Sequence, residues 1–258
     1  METEMALENL ENNDVYVSVI IPVYNCNEWI VSNLNKIYNY FNKLENNWEL
    51  IVVDDGSVDN TVDKIKKADI YHYNNFMLLK NGNNLGKGSA VLKGLRASRG
   101  ECRIFADCDL AYPLSELKKV IDKVKSGADV AIANRRIPGS ICELDPRLFN
   151  VVHSRERYGR ILNKLIRMLG LTNVRDTQAG LKGFNKWVIE QIGQIESKRF
   201  GFDIELLYKS SLLGAEIESV PVRYQFFENQ SSVKIFRDGF KIMYEILSIW
   251  VQHIKNKK

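Results

Sequence analysis

Three apolar runs, each closing in a polar turn, limit what this chain can become. "VYVSVIIPVYN" (15–25), "WELIVVDDGSVDNT" (48–61) and "CRIFADCDLA" (102–111) are rich in apolar and β-branched residues. A continuous run of that kind reads as a strand buried on both faces, which belongs inside a parallel sheet. Between and after these runs lie segments with helical spacing: "WIVSNLNKIYNYFNKL", "TVDKIKKAD" and "PLSELKKVIDKVKSG", the last with Pro113 near its start. "NFMLLKN" adds a strand before the Gly-rich "GNNLGKGSAVLKGLRASRG", and "ADVAIANRR" adds another. Strands alternating with helices at short spacing predict right-handed βαβ units, an α/β fold and one Rossmann-like domain with a mostly parallel sheet flanked by helices.

In such a sheet the turns "VYNCN", "DDGS" and "DCDLAYP" all follow strands. They therefore gather at the carboxyl edge, where open α/β sheets bind ligands.

Beyond residue 150 the pattern changes. "HSRERYGRILNKLIRMLGL" reads as a basic amphipathic helix, and "VRDTQAGLKGFNKWVIEQI" as a turn and then a helix. "RFGFDIELLYKSSLLG" reads as a helix, "AEIESVPVRYQF" as a strand, and the chain ends in an amphipathic helix. The expected division is a loose tail over 1–14, one domain over 15–233 and a C-terminal amphipathic helix over 234–258.

The 258 residues suffice for a sizeable core, and 45% hydrophobic content argues against disorder. A net charge of +4 is too small to indicate a nucleic-acid partner. The four cysteines form no CxxC, which fits a reducing compartment. No apolar leader and no run of eighteen uncharged apolar residues is present, so the expectation is a cytoplasmic protein, peripheral on a membrane face if membrane-bound. His72, His153 and His253 have no metal-ligand spacing.

The Gly-rich loop fails two phosphate-binding patterns. Only three residues separate Gly82 from Gly86, and Gly88 rather than Ser or Thr follows Lys87. Val91 stands where a dinucleotide fingerprint needs its last glycine. The loop reads either as a loop-to-helix turn or as backbone approaching a diphosphate, with Lys87 near it.

Asp107 and Asp109, at i and i+2 on an extended chain, point the same way. Two such carboxylates repel unless a cation lies between them. Carboxylate, water and phosphate oxygens are ligands for Mg²⁺ or Mn²⁺ rather than zinc. A solvated acidic turn would carry the same letters, but this pair ends a strand and precedes a proline-started helix. Asp54, ending another strand, suits the imide N–H of uracil or guanine.

With these residues in view, "VSVIIPVYN", "IVVDDGSVDNT", "NLGKGSAVLKGLRASRG", "ADCDLAYP" and "IANRR" together resemble glycosyltransferase family 2, of the GT-A fold. "RDTQAGLKGF" and "RFGFDIELLY" are similar to its polyprenyl-phosphate (dolichyl-phosphate) glucosyl- and mannosyltransferases. The resemblance implies inverting transfer of a hexose from UDP- or GDP-hexose, with Mg²⁺ or Mn²⁺ at Asp107 and Asp109. It places Pro22, Tyr24 and Asp54 at the nucleoside, Asp107 at ribose and diphosphate, and Arg135 near the phosphates. Two positions depart from the family pattern. Cys26 replaces an acidic residue, with Glu28 nearby, and Ala111 replaces a glutamine of some mannose-transferring members.

A lipid-phosphate acceptor is already an anion and needs positive charge more than a base. Arg155, Arg157, Arg160, Lys164, Arg167 and Arg175 supply it. Their apolar neighbours also fit a helix at a bilayer interface, although a solvated basic face would look alike. Asp176 and Gln178 are candidates for the acceptor side, and Ser232 with Lys234 for a phosphate clamp in a closing loop. A sugar-hydroxyl acceptor in a surface glycan would need a base, for which Asp203 is the candidate unless it serves the start of its helix. The candidate catalytic residues are thus Asp109, Asp203 and Arg135. A non-catalytic nucleotide-sugar or lipid-phosphate binder is the alternative of another class. A partner protein is a candidate membrane anchor.

Overall fold

The computed structural model describes residues 15–44, 47–144, 147, 149–199, 201–225 and 235–256. Seven strands form the central sheet in the order β3-β2-β1-β4-β7-β5-β8. They are β1 (Val17–Val23), β2 (Trp48–Asp54), β3 (Phe76–Lys80), β4 (Cys102–Ala106), β5 (Val130–Asn134), β7 (Leu181–Asn185) and β8 (Ile217–Pro221). A second, two-stranded sheet pairs β6 (Ile141–Glu143) with β9 (Arg223–Gln225). The helices are α1 (Ile30–Leu44), α2 (Thr61–Lys67), α3 (Lys87–Ala97), α4 (Leu114–Lys125), α5 (Phe149–Met168), α6 (Lys186–Gln191), α7 (Phe202–Leu212) and α8 (Ile235–Asn256).

The continuous apolar runs are buried as their composition predicts. Every residue of β1, β2, β4 and β5 is buried. The sheet separates two apolar layers. On one side α1 contributes Ile30, Leu34, Ile37 and Phe41 to a cluster with Val19, Val52 and Ile104. Positions i, i+4, i+7 and i+11 form one helix stripe, and each side chain removed from water contributes about 1.5–3 kcal/mol. On the other side Ile20, Val53 and Phe105 meet α3 and α7. A third cluster joins Leu162 and Ile166 of α5 to Ile204 and Tyr208 of α7 and Ile242, Ile246 and Ile249 of α8.

Two expectations are corrected. "LKGFN" is not part of a turn: it is β7, antiparallel to both neighbours, inserted between β4 and β5. "AEIESVPVRYQF" is not one strand. β8 runs parallel to β5 up to Pro221, after which β9 pairs with β6 in the other sheet. The sheet is mixed but mostly parallel, a GT-A-like arrangement.

Candidate functional site

β1, β2 and β4 run parallel, so their carboxyl ends lie together. At the end of β2 the carboxylate of Asp54, 3% exposed, accepts from the Ser57 N–H at 3.2 Å from each oxygen. Its neighbour Asp55 points elsewhere. It accepts from Asn81 Nδ2 (2.8 Å), Leu85 N (3.1 Å) and Gly86 N (2.8 Å), which ties the Gly-rich loop to the sheet. Pro22 is buried in β1, and Tyr24 just beyond it is exposed.

The Gly-rich loop owes its glycines to its own chain. Gly86 has φ 105°, and a Cβ there would meet Arg199 Cγ at 2.6 Å. A Cβ on Gly88 would lie 2.6 Å from the Phe202 side chain. Both are demanded by the close approach of the segment entering α7. Lys87, between them, pairs with Asp107.

β4 ends at Ala106, and Asp107 continues its pairing with an N–H bond to the Gly180 carbonyl at 3.1 Å. A side chain at residue 180 would push the Asp107 carboxylate aside. An added Cβ would overlap Asp107 Oδ2 and sit 2.6 Å from its Cγ. Asp109 folds back to accept from Ala111 N at 3.0 Å, and Leu110 takes the left-handed conformation at φ 55°. Burial, and then the charge of Asp107, raise Asp109 from the ordinary 3.8 to about 6, partly offset by Lys87. Lys87 is held protonated above its usual range: burial opposes its charge, but Asp107, Asp203 and Asp109 outweigh that.

Among the described residues no group of three or more His, Cys, Asp or Glu gathers into a metal cage. Two carboxylates without a cage suit Mg²⁺ or Mn²⁺, which take one or two carboxylates and complete their shell with water and phosphate oxygens. Asp107 and Asp109 therefore fit such an ion.

Behind the pair lies a charged couple not foreseen from the letters. Lys182 of β7 is fully buried and donates to Asp203 of α7 and to the Ala179 carbonyl (2.8 Å). Asp203 is 7% exposed. Burial raises its pKa, and Lys182 then Lys87 work against that rise. Ala179 and Gly180 carry the backbone that seats Asp107, so Lys182 links that seat to α7.

Arg135 follows β5 and grips Asp176 from three donors: its own N–H (3.0 Å), Nε (2.8 Å) and Nη2 (2.8 Å). Asp176 has no exposed surface. Burial would raise it, but the Arg135 guanidinium overrides this and lowers it to about 2. The Arg135 side chain is 30% exposed, and its guanidinium lies 5.8 Å from the centre of the Tyr224 ring. Asp176 is thereby spent on Arg135 rather than open to an acceptor. Arg136 turns to α5, donating to the carbonyls of Gly159 (3.1 Å) and Arg175 (2.8 Å).

Lys87, Asp107, Asp109 and Asp203 thus share one charged cluster, with Arg135 and Asp176 close enough that Tyr112 feels Arg135, Asp176, Asp107 and Lys87 together. Arg157 and Arg160 are exposed on α5, Arg160 facing Glu156 at 3.5 Å, and Gln178 is partly buried. The side chain of Arg155, and all of Ser232 and Lys234, lie outside the described residues. Lys182, Gly180 and Asp55 were missed in the sequence. For Asp55 the signal was present: consecutive residues of a strand point to opposite faces, so the two aspartates of "VVDDGS" could not share one role.

Known proteins resemble this chain in sequence and in fold. A dolichyl-phosphate β-glucosyltransferase of Saccharomyces cerevisiae is 29% identical, over 98% of this chain and 80% of its own length. A dolichol-phosphate mannosyltransferase of Pyrococcus furiosus is also 29% identical, over 81% of this chain and 56% of its own. In fold the chain resembles a glucosyl-3-phosphoglycerate synthase from Mycobacterium tuberculosis in complex with Mn²⁺, UDP and phosphoglyceric acid. That TM-score is 0.64 at 19% identity, covering 95% of this chain and 82% of that one. It also resembles a mannosyltransferase from Pyrobaculum calidifontis in complex with GDP-Man and Mn²⁺, with a TM-score of 0.58 at 19% identity, covering 92% and 64%. The model of glycosyl transferase family 2 matches residues 18–193, most of the chain. With the GT-A-like sheet and the acidic pair at its edge, that match makes this protein a member of glycosyl transferase family 2 and a glycosyltransferase.

Proposed function

We propose that the protein transfers a hexose, glucose before mannose, with inversion from a nucleotide sugar to a polyprenyl or dolichyl phosphate. The observation that carries this is the state of Asp203. Asp203, the candidate base for a sugar hydroxyl, is buried and bound to Lys182. A phosphate acceptor needs no base, because its oxygen is already a nucleophilic anion. The names of the yeast and Pyrococcus relatives support the lipid phosphate. Ala111 and the glucosyl name of the yeast relative support glucose.

In this reading Asp54 accepts from the nucleobase imide, and Pro22 and Tyr24 border the nucleoside. Asp107 and Asp109 would hold Mg²⁺ or Mn²⁺, whose chemistry when bound is to neutralise the diphosphate as the bond to the sugar breaks. Lys87 adds a fixed positive charge beside Asp107. Arg135, held rigid by Asp176, presents the rest of its guanidinium to phosphate oxygens. Arg157 and Arg160 draw the anionic acceptor toward the site.

Peripheral membrane docking belongs to the same proposal. Among the described residues no helix is long and apolar enough to cross a membrane. Ile161 and Met168 of α5 and Tyr244, Leu247 and Val251 of α8 are exposed on helices whose opposite faces pack together. Nearby cations would each add about 1 kcal/mol toward anionic headgroups.

The test is incubation with radiolabelled UDP-glucose or GDP-mannose, Mn²⁺ and dolichyl phosphate. Label from UDP-glucose should enter the organic phase. Label found only in water-soluble glycan would overturn the lipid acceptor, and label taken only from GDP-mannose would overturn glucose.

A further inference from the structure

Asp55 is a buried carboxylate to which the proposed donor site gives no ligand. Its own N–H donates to the Val23 carbonyl at 2.9 Å, which fixes it to the end of β1. Its Oδ1 accepts from Asn81 Nδ2 at 2.8 Å and Leu85 N at 3.1 Å, and its Oδ2 from Gly86 N at 2.8 Å. Asn81 is held in turn. Its N–H donates to the Asp54 carbonyl at 2.8 Å, and Lys93 Nζ donates to its Oδ1 at 3.3 Å. The loop also runs hard against Gly56 (φ 74°), where a Cβ would lie 2.4 Å from the Asn83 carbonyl carbon. The Lys198 carbonyl adds a further hold: it accepts from Ser89 N at 3.2 Å and would sit 2.5 Å from a Cβ on Gly86.

We propose that Asp55 is a positioning residue: its carboxylate holds the 81–86 loop and so fixes the start of α3, from which Lys87 reaches the donor's diphosphate. Lys87 follows Gly86 directly, is the first residue of α3, and pairs through its ammonium with Asp107. The functional half of this rests on the reading of Lys87 as a group facing the phosphates, whereas the attachment of the loop to Asp55 does not.

A carboxylate suits this task because it only accepts. Three donors converge on its two oxygens. An amide in its place offers one oxygen and turns an NH2 group toward a donor. The donor left facing it is buried and has no water to replace the lost partner. A loop released in this way carries the first turn of α3 with it, and a displacement of about 1 Å at a reacting site can cost on the order of a hundredfold in rate. With the loop held, the diphosphate meets a cation whose backbone is already ordered, and binding does not have to supply that ordering.

The full chain is compared with Asp55→Asn, Lys87→Met and the double variant. Affinity for UDP and for GDP, each with Mn²⁺, is measured by calorimetry, and backbone hydrogen exchange of the loop by mass spectrometry. In Asp55→Asn the loop amides should exchange about tenfold faster or more. Each single variant should lose about tenfold in affinity, and the double variant no more than Lys87→Met alone. Losses that multiply would show that Asp55 acts independently of Lys87 and would overturn the proposal. Unchanged affinity in either single variant, or unchanged exchange in Asp55→Asn, would overturn it as well. If Asp55→Asn does not fold, Asn81→Ala removes one of the three donors and carries the same comparison, with a loss of about threefold that vanishes in the Lys87→Met background. A threefold loss that persists there would overturn the proposal too. If the wild type binds neither nucleotide, the donor reading fails, and the exchange rates still decide whether Asp55 holds the loop.

Discussion

Gly180 and Asp107 are in such close contact that the carboxylate occupies the space a Cβ on residue 180 would need. The same glycine accepts the Asp107 N–H at 3.1 Å. The position of the first acidic residue is therefore set from the neighbouring antiparallel strand as well as from β4.

Gly180→Ala should displace the Asp107 side chain while leaving the fold in place. Overpacking of this kind costs about 1–3 kcal/mol. Affinity for UDP with Mn²⁺ should fall at least tenfold, read by calorimetry. Unchanged affinity would mean that Asp107 adjusts freely and that its seat has no functional weight.

Lys87 is the internal countercharge of the acidic pair. Lys87→Met should reduce kcat/KM by roughly a hundredfold, the size expected when one preorganised charge is lost from a phosphate site. The loss should persist with saturating metal, because the proposed role of Lys87 is toward the phosphates and not only toward Asp107. Full activity in excess Mn²⁺ would show that the lysine only stands in for the cation.

Asp176 gives the fold an acid-sensitive joint. Its carboxyl is lowered from 3.8 to about 2 by Arg135 against the opposing effect of burial. A depressed carboxylate contributes stability that is complete above the unfolded value and is lost as pH falls through the folded one. The shift corresponds to about 2 kcal/mol, present at pH 5 and absent below pH 2. Urea unfolding of the wild type between pH 5 and pH 2 should show this slope, and Asp176→Asn should lack it. Parallel curves for the two proteins would contradict the pairing.

Asp203 separates the two acceptor readings. Asp203→Asn leaves the buried Lys182 ammonium without its counterion, at a cost of about 3–5 kcal/mol. The double variant Asp203→Asn with Lys182→Met should recover much of that stability, because no stranded charge remains. With a phosphate acceptor, turnover of the folded single variant should stay within about tenfold of wild type. A loss of a thousandfold or more with nucleotide binding intact would instead make Asp203 the base for a hydroxyl.

Parts of this arrangement were legible in the letters. The apolar runs of β1, β2 and β4 could form little else than buried parallel strands, and their polar endings had to share one edge. The acidic pair, Asp54 and Arg135 were found there because each follows directly from its own strand. β7 was not legible. "LKGFN" is five residues long, has no alternation, and holds a lysine and a glycine where an interior strand usually has β-branched residues. Its Lys182 is tolerated only because Asp203, distant in sequence, neutralises it. "AEIESVPVRYQF" looked continuous because nothing local says that its second half will pair with β6.

By itself the sequence determined the layers, the edge at which chemistry could gather, and the two carboxylates that follow β4, since these depend on periodicity and on near neighbours along the chain. Only the tertiary structure decided which charges are spent on one another. Asp176 on Arg135, Lys182 on Asp203 and the Gly-rich loop on the start of α7 are contacts between segments far apart in sequence. Partners of that kind are chosen by packing in three dimensions, and no local pattern records them.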